Sequence, residues 1–466
     1  MSDSRLLSEH VAGARYEDLP AQAVAGAKRS LLDALGVMLA ASGLAEECRP
    51  FVQLAVNEGG SGASAVLGIS RTVSAHWAAF ANGSMAHALD FEDTHDEARV
   101  HPNAAAVPAA LALLPSQEDV SGGELLVALA VACDLVCRLG LALEKDPIEH
   151  GWYMPPILGA FGATAAAGRL LKLTPLQLTD AFALTLCQST CSAELVASPE
   201  STVRAVRDAF AARAGVVSAQ LAALGARGFE HPFEGDAGLF PLYAREDYDL
   251  DALFRDLGSV FEGANVSYEP WPSCRGTHAF IEAALELCSE HEFSLNEIER
   301  IHLTTGDSPL VRSLCEPPSQ KRYPANAIQA KFSLPFTVAL GIAHEDVRLR
   351  DFSSEAIAER ETLELARRVS WEIDSDLDAS GGVLKIDTTR GMFWRRVPAL
   401  SLGPPSNPIS HDALVEKFLT CARYAAEPLR SGKLEEIVAL VFRLEEDAGS
   451  VGRLVRLLSQ AGRSDT

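Results

Sequence analysis

Apolar positions recur at helical spacing through roughly the first 265 residues of the chain. Pro20 opens one such segment, in which Leu31, Leu32, Leu35 and Leu39 keep the stripe going until Gly43 closes it. Residues 107–114, 123–143, 158–171, 175–191 and 203–224 repeat the pattern. They are rich in Ala, poor in β-branched runs, and broken at Gly or Pro. Small residues at this density let helices approach closely, so the region reads as all-α.

The pattern changes near Tyr268. Glu269-Pro-Trp-Pro-Ser-Cys274 cannot be regular helix, because two prolines stand in three positions. A helix follows at 277–288, and then the period falls to two. Ile301 and Leu303 alternate with His302 and Thr304; Val369, Trp371 and Ile373 form a second such run, Leu384 and Ile386 a third. Alternation carried by β-branched and aromatic residues predicts strands. Gly403-Pro-Pro-Ser-Asn-Pro408 reads as a linker, after which 410–458 returns to helix. The expected fold is mainly α. Residues 1–266 and 404–466 form a large all-helical domain, and 267–403 a smaller inserted α+β domain. The C-terminal helices are expected to pack back on the first domain.

Composition narrows the partners. Lys and Arg number 40 against 63 Asp and Glu, a net charge of −23, which argues against nucleic acid or an anionic membrane as a partner. No run approaches the ~18 uncharged apolar residues of a membrane span, and the N-terminus lacks a signal-peptide layout. A cytoplasmic protein is expected. Nine cysteines without a CxxC pair make neither a disulfide framework nor a zinc ribbon. The pairs Cys133/Cys137 and Cys187/Cys191 read as core packing.

The candidate chemistry is concentrated between His87 and His101, where fifteen residues carry three His, three Asp, two Glu, one Thr and one Arg. An alanine-rich apolar segment follows at once. Acids and bases packed against a buried helix suggest a reaction site. With 85–94 helical, His87, Asp90 and Thr94 would share a face, and Asp93 would sit at its edge. Carboxylates this close repel one another, which predicts one pKa raised toward neutrality, suited to a general acid or base. A rival reading is a metal site: His87, Asp90, His95, Asp96 and His101 are suitable ligands for Zn, Fe or Mn. A solvated polar loop is the plain alternative.

Asn82-Gly83, then His87-x-x-Asp90-x-x-Asp93-Thr94-His95, then His101-Pro102 and Pro108-Ala-Ala-Leu-Ala112 closely resemble the 2-methylcitrate dehydratase (MmgE/PrpD) family, which includes cis-aconitate decarboxylases. Gly151-Trp152 with 158–168, Glu234-Gly235 with Gly238-Leu-Phe240, Pro272-Ser-Cys-Arg-Gly-Thr-His278 and Ala330-Lys-Phe-Ser-Leu-Pro335 resemble its further signatures, in order along the chain. The resemblance implies a helical domain with an inserted α+β lid, a cleft active site between them, a homodimer, and neither organic cofactor nor metal. It implies chemistry beginning at a proton α to a carboxylate, followed by loss of water or CO₂. It places Asp90, Thr94 and His101 at active-site positions. Asp90 and His101 take acid–base roles and Thr94 orients substrate; Asp93 and His95 support them. Arg275 and His278, at the mouth of a helix, become ligands for a substrate carboxylate. Lys331 and Ser333 belong to the last signature, Lys331 equally as a structural ion pair.

Several positions depart from the family pattern. Tyr153 stands where the family has His, and Met154-Pro-Pro156 replaces a hydroxyl-bearing run. Arg204 stands at the family's lysine, a cation that cannot give up its proton. Glu269 reverses an expected positive charge, either to bind an amine or as a surface residue without a role, and Cys274 replaces the His of the decarboxylase branch. The expected activity is a cofactor-independent hydro-lyase with an altered, small carboxylate substrate. Tyr153 joins the catalytic set; Arg204 and Cys274 join the substrate-binding one. Isomerisation, epimerisation or decarboxylation on the same scaffold are alternatives, decarboxylation of cis-aconitate being disfavoured by Tyr153 and Cys274. A metal-dependent hydrolase and a non-catalytic binding homologue are the readings from other classes.

Overall fold

A computed structural model describes residues 2–117, 119–198, 200–291, 293–378, 381–398 and 401–459. It is mainly α, with 58% helix and 10% strand. The chain divides into two compact units. The first comprises Met1–Ala88, Glu92–Tyr268 and Ser410–Thr466; the second comprises Leu89–Phe91 and Glu269–Ile409.

Helices of the first unit are α1 (Asp3–Gly13), α2 (Ala21–Leu44), α3 (Arg49–Glu58), α4 (Ala75–Ala86), α5 (Asn103–Leu113), α6 (Gly122–Leu141), α7 (Met154–Leu170) and α8 (Pro175–Leu186). The short turns α9 (Glu194–Ala197) and α10 (Val203–Val206) precede α11 (Asp208–Ala223) and α12 (Leu239–Tyr243). Local sequence starts them: Ser121 with Glu124 and Thr174 with Gln177 form reciprocal capping boxes at α6 and α8, and Pro175 opens α8. From Ser30 to Ala41 every residue of α2 is buried, as is every residue of α5. A helix apolar all round belongs at the centre of a core. The small residues do what their density predicts. A methyl at Gly215 of α11 would lie 2.5 Å from Ala163 Cβ of α7, and one at Gly83 of α4 2.8 Å from the Asp208 carbonyl oxygen.

Three details of this unit differ from the sequence reading. Ser64–Val66 (β1) and Arg71–Val73 (β2) form an antiparallel ladder where only helix was expected; Gly68, at φ 75°, makes the turn between them. The 175–191 helix stops at Leu186, leaving Cys187 exposed and Cys191 half-buried, so that pair is not core packing. The 203–224 helix is interrupted at Arg207. All nine cysteines are free. The C-terminal helices α19 (His411–Ala422), α20 (Ser431–Phe442) and α21 (Ser450–Leu458) belong to this unit, and Lys417 of α19 pairs with buried Asp33 of α2 at 2.7 Å.

In the second unit the helices are α13 (His278–Glu290), α14 (Pro309–Cys315), α15 (Pro318–Arg322), α16 (Ala327–Lys331), α17 (Leu334–His344) and α18 (Arg360–Arg368). The strands are β3 (Ile298–Thr305), β4 (Val369–Ile373), β5 (Gly382–Thr388) and β6 (Gly391–Val397), in spatial order β4-β3-β5-β6. β3 pairs parallel with β4 and antiparallel with β5. Ile301, Leu303, Leu384 and Ile386 point into one core with Phe280, Leu287 and Val338, which explains the period-two pattern. β6 is an edge strand that the sequence reading lacked; Met392 and Trp394 on it are exposed. Among the described residues, no helix is long and apolar enough to cross a membrane.

Candidate active site

The acidic and histidine-rich stretch is not helical. Helix α4 ends at Ala86, His87 is its C-cap, and Asp90 takes a positive φ of 47°. The shared helical face expected for His87, Asp90 and Thr94 therefore does not exist. Its physical reason is local: His, Asp and Thr are weaker helix formers than the preceding alanines, and a left-handed Asp90 reverses the chain. The turn instead brings Glu92 against His87 and His101.

In the first unit, Glu92 Oε1 lies against His87 Nδ1 and 3.1 Å from His101 Nδ1. The two imidazole rings meet edge-on, 4.7 Å between centroids. His87 and Glu92 are buried, whereas the His101 side chain keeps 22% of its exposure. Burial pushes His101 below the ordinary imidazole pKa, with buried Arg207 lowering it further and Glu92 opposing. A neutral imidazole with one open edge, backed by a buried carboxylate, is the arrangement of a general base.

Asp93 lies beside this group. Its Oδ2 accepts a 2.7 Å hydrogen bond from Asn103 Nδ2, and its carbonyl oxygen lies 3.2 Å from His101 Nδ1. Its carboxyl is pushed up to about 7, first by burial and then by the charge of Asp33, with Glu92 a lesser cause. One acid thus does rise toward neutrality, but chiefly through desolvation rather than crowding. Thr94 exchanges backbone hydrogen bonds with Ser267 at 2.7–2.9 Å, and its hydroxyl donates to the Val100 carbonyl at 3.2 Å. His95 accepts from the Ala98 N–H at Nδ1 (3.1 Å) and faces Glu262 through Nε2 (3.4 Å), which fixes its tautomer with the proton on Nε2. Asp96 accepts from the Ser267 hydroxyl.

Cationic character comes from a residue the sequence reading passed over. Arg207 is 2% exposed, and its guanidinium stacks 5.1 Å from the centre of the Tyr153 ring. Its Nη1 donates to the Arg204 carbonyl at 2.6 Å, and its Nε lies 3.7 Å from Asp208 Oδ2. Tyr153 is the N-cap of α7, half-buried, and Arg204 is half-buried on α10. The motif Val-Arg-Ala-Val-Arg offers two arginines three apart; only their burial separates them. Glu92 was equally hidden, since no periodicity marks a residue on an irregular turn.

The second unit holds the other candidates. Asp90 Oδ2 lies 4.0 Å from Lys331 Nζ, both side chains buried. Cys274 donates its backbone N–H to the Lys331 carbonyl at 3.1 Å. Arg275 Nη1 donates to Ser401 Oγ and the Leu402 carbonyl (2.9 and 3.0 Å) and lies 3.3 Å from His278 Nδ1. His278 is fully buried, its Nε2 donating to the Ser273 carbonyl at 2.9 Å beneath Trp271. Both thus spend donors inside the unit, Arg275 on residues 401–402 and His278 on Ser273. Glu269 is buried, not the surface residue that was one reading of it.

Of the five metal ligands considered from sequence, only His87 and His101 converge, and Glu92 completes a trio whose donor atoms lie within 4.8 Å of one another. His95 and Asp96 are held elsewhere.

The comparisons with known proteins accord with the motif order. Residues 5–251 match the MmgE/PrpD N-terminal domain and residues 271–441 the MmgE/PrpD C-terminal domain. The chain belongs to the MmgE/PrpD family. A cis-aconitate decarboxylase-like protein of Aspergillus oryzae is 26% identical over 95% of this chain and 94% of its own length. The cis-aconitate decarboxylase of Aspergillus terreus is 24% identical over 92% and 91%. The cis-aconitate decarboxylase of Mus musculus is 25% identical over 82% and 78%.

Proposed function

We propose that the chain is a lyase that moves a proton at the carbon next to a carboxylate of a small polycarboxylic or hydroxy acid. The observation that carries this reading is His101, a neutral imidazole open on one edge and backed by buried Glu92 and His87, in a chain of this family. In the dehydration, His101 takes the proton on carbon and the C–H electron pair becomes the new double bond. The neighbouring hydroxyl leaves as water with a proton from an acid, a role assigned to Asp90. Arg207, stacked on Tyr153, supplies the buried cation for the substrate carboxylate, a task for which a planar bidentate donor is well suited. Asp93 and His95 hold the turn. No organic cofactor or metal enters the reaction.

Loss of CO₂ is the second reading, favoured by relatives that carry the name cis-aconitate decarboxylase at 24–26% identity. There the electron pair of the breaking C–C bond stays on carbon and is quenched by a proton from the same acid–base set. Tyr153 and Cys274 count against it. The test is an NMR screen of hydroxy di- and tricarboxylates and cis-aconitate in D₂O, with and without EDTA. Deuterium incorporation or turnover that survives EDTA is expected. Activity abolished by EDTA would replace this reading with a metal-dependent one, and absence of exchange with every acid would favour a binding homologue.

We further read the chain as a homodimer. The aromatic cluster of Phe51, Phe80 and Phe210, with ring centroids 5.2–5.8 Å apart, supports a self-contact, since Phe210 is 53% exposed.

A further inference from the structure

His87, Glu92 and His101 form, among the described residues, the group of three His, Cys, Asp or Glu whose ligand atoms converge within 4.8 Å. Both imidazoles approach the same oxygen, Glu92 Oε1. Where a proton can be shared between two nitrogens and a carboxylate, a divalent cation can take the proton's place. Two imidazoles and one carboxylate are a borderline donor set that suits zinc, whose Zn–N and Zn–O bonds of roughly 2.0–2.2 Å put tetrahedral neighbours ~3.3–3.5 Å apart. The span of the trio admits that spacing. Two ligands are buried and fixed, one by the end of α4, while partly exposed His101 leaves a way in and a fourth position open. A net charge of −23 also concentrates divalent cations around the molecule.

We propose that His87, Glu92 and His101 are an inhibitory zinc site, in which Zn²⁺ occupies the acid–base cluster and takes His101 out of use as a base. The trio binds Zn²⁺ through the three protein ligands, and any proton shared among them is released to solvent. The inhibitory half rests on the lyase reading above; the binding half stands on the geometry alone. The same two-histidine, one-carboxylate set can also hold Fe²⁺, whereas zinc needs only the one further position that the opening at His101 offers.

The experiment is calorimetric titration of the metal-stripped full-length chain with zinc chloride, alongside D₂O exchange or turnover at each zinc level. One zinc per chain is expected, with nearly all activity lost at stoichiometric binding and restored by EDTA. His87→Gln, Glu92→Gln and His101→Gln, each checked for folding by circular dichroism, should weaken binding at least ~100-fold. The three variants also separate this site from exposed Cys187, which they leave intact. Absence of saturable binding, or binding unchanged in all folded variants, overturns the proposal; so does binding without effect on an active enzyme. Zinc binding that raises activity keeps the site, overturns its inhibitory role, and replaces the metal-free lyase reading with a metal-dependent one.

Discussion

Asp90 sits at a positive φ, a conformation that asparagine adopts about as readily as aspartate. Asp90→Asn therefore removes charge without adding backbone strain, and it keeps a polar group 4.0 Å from Lys331. Turnover should fall by about 10²-fold or more, as for loss of a general acid, with little change in melting temperature. Equal losses of both would reduce Asp90 to a structural partner of Lys331. His101 gives the matching pH prediction. Its folded pKa lies below the ordinary 6.5, so the base is neutral from neutrality upward and kcat/KM should drop only as pH falls below that value. His101→Gln should abolish that acid limb along with the activity. At this scale the sequence was partly legible. Residue types and motif order located the cluster, because acids and bases are costly to bury without a use. Glu92 and Arg207 could not be ranked above Asp96 and Arg204, because burial on a turn leaves no periodic trace.

Among the elements, α4, α5, α7 and α11 carry the site, and glycine sets their separation. Gly83→Ala would press a methyl against the Asp208 carbonyl at 2.8 Å and Ala212 Cβ at 2.9 Å, where backbone has to yield. A cost of roughly 1–3 kcal/mol is expected, with a rise in KM because Arg207 immediately precedes α11. Denaturant melts and steady-state kinetics read the two effects separately. The link between α19 and α2 makes a second test. Lys417→Met leaves Asp33 buried beside no matching cation at 2.7 Å and should cost about 3–5 kcal/mol, while Lys417→Met with Asp33→Asn should recover much of it. Burial raises the Asp33 carboxyl pKa even beside Lys417. A raised acid costs stability as pH climbs above its unfolded value, so the single variant should lose more in mildly alkaline than in mildly acidic buffer. Helices were the readable elements, since α2 and α5 announce their burial by being apolar all round. The β1–β2 ladder and β6 were not. Three-residue strands give no period to count, and Met392 to Arg396 alternates too weakly on an exposed edge.

For the molecule as a whole, the two changes of periodicity near residues 268 and 403 conveyed the mainly α class and the presence of an α+β portion. They could not convey assembly. A homodimer predicts twice the chain mass by light scattering, and Phe210→Glu should shift it toward the monomer; a monomeric wild-type chain would remove that reading. The placement of Ser410–Thr466 in the first unit has a temporal consequence. Synthesis delivers Asp33 early and Lys417 only after the entire 269–409 segment has emerged. The second unit can therefore complete its core on the ribosome while the first still waits, with an unmatched acid at its centre, for its final helices. Chains stalled before α19 should show a protease-resistant second unit beside a digestible first one, so the segment begun first would be the last to close.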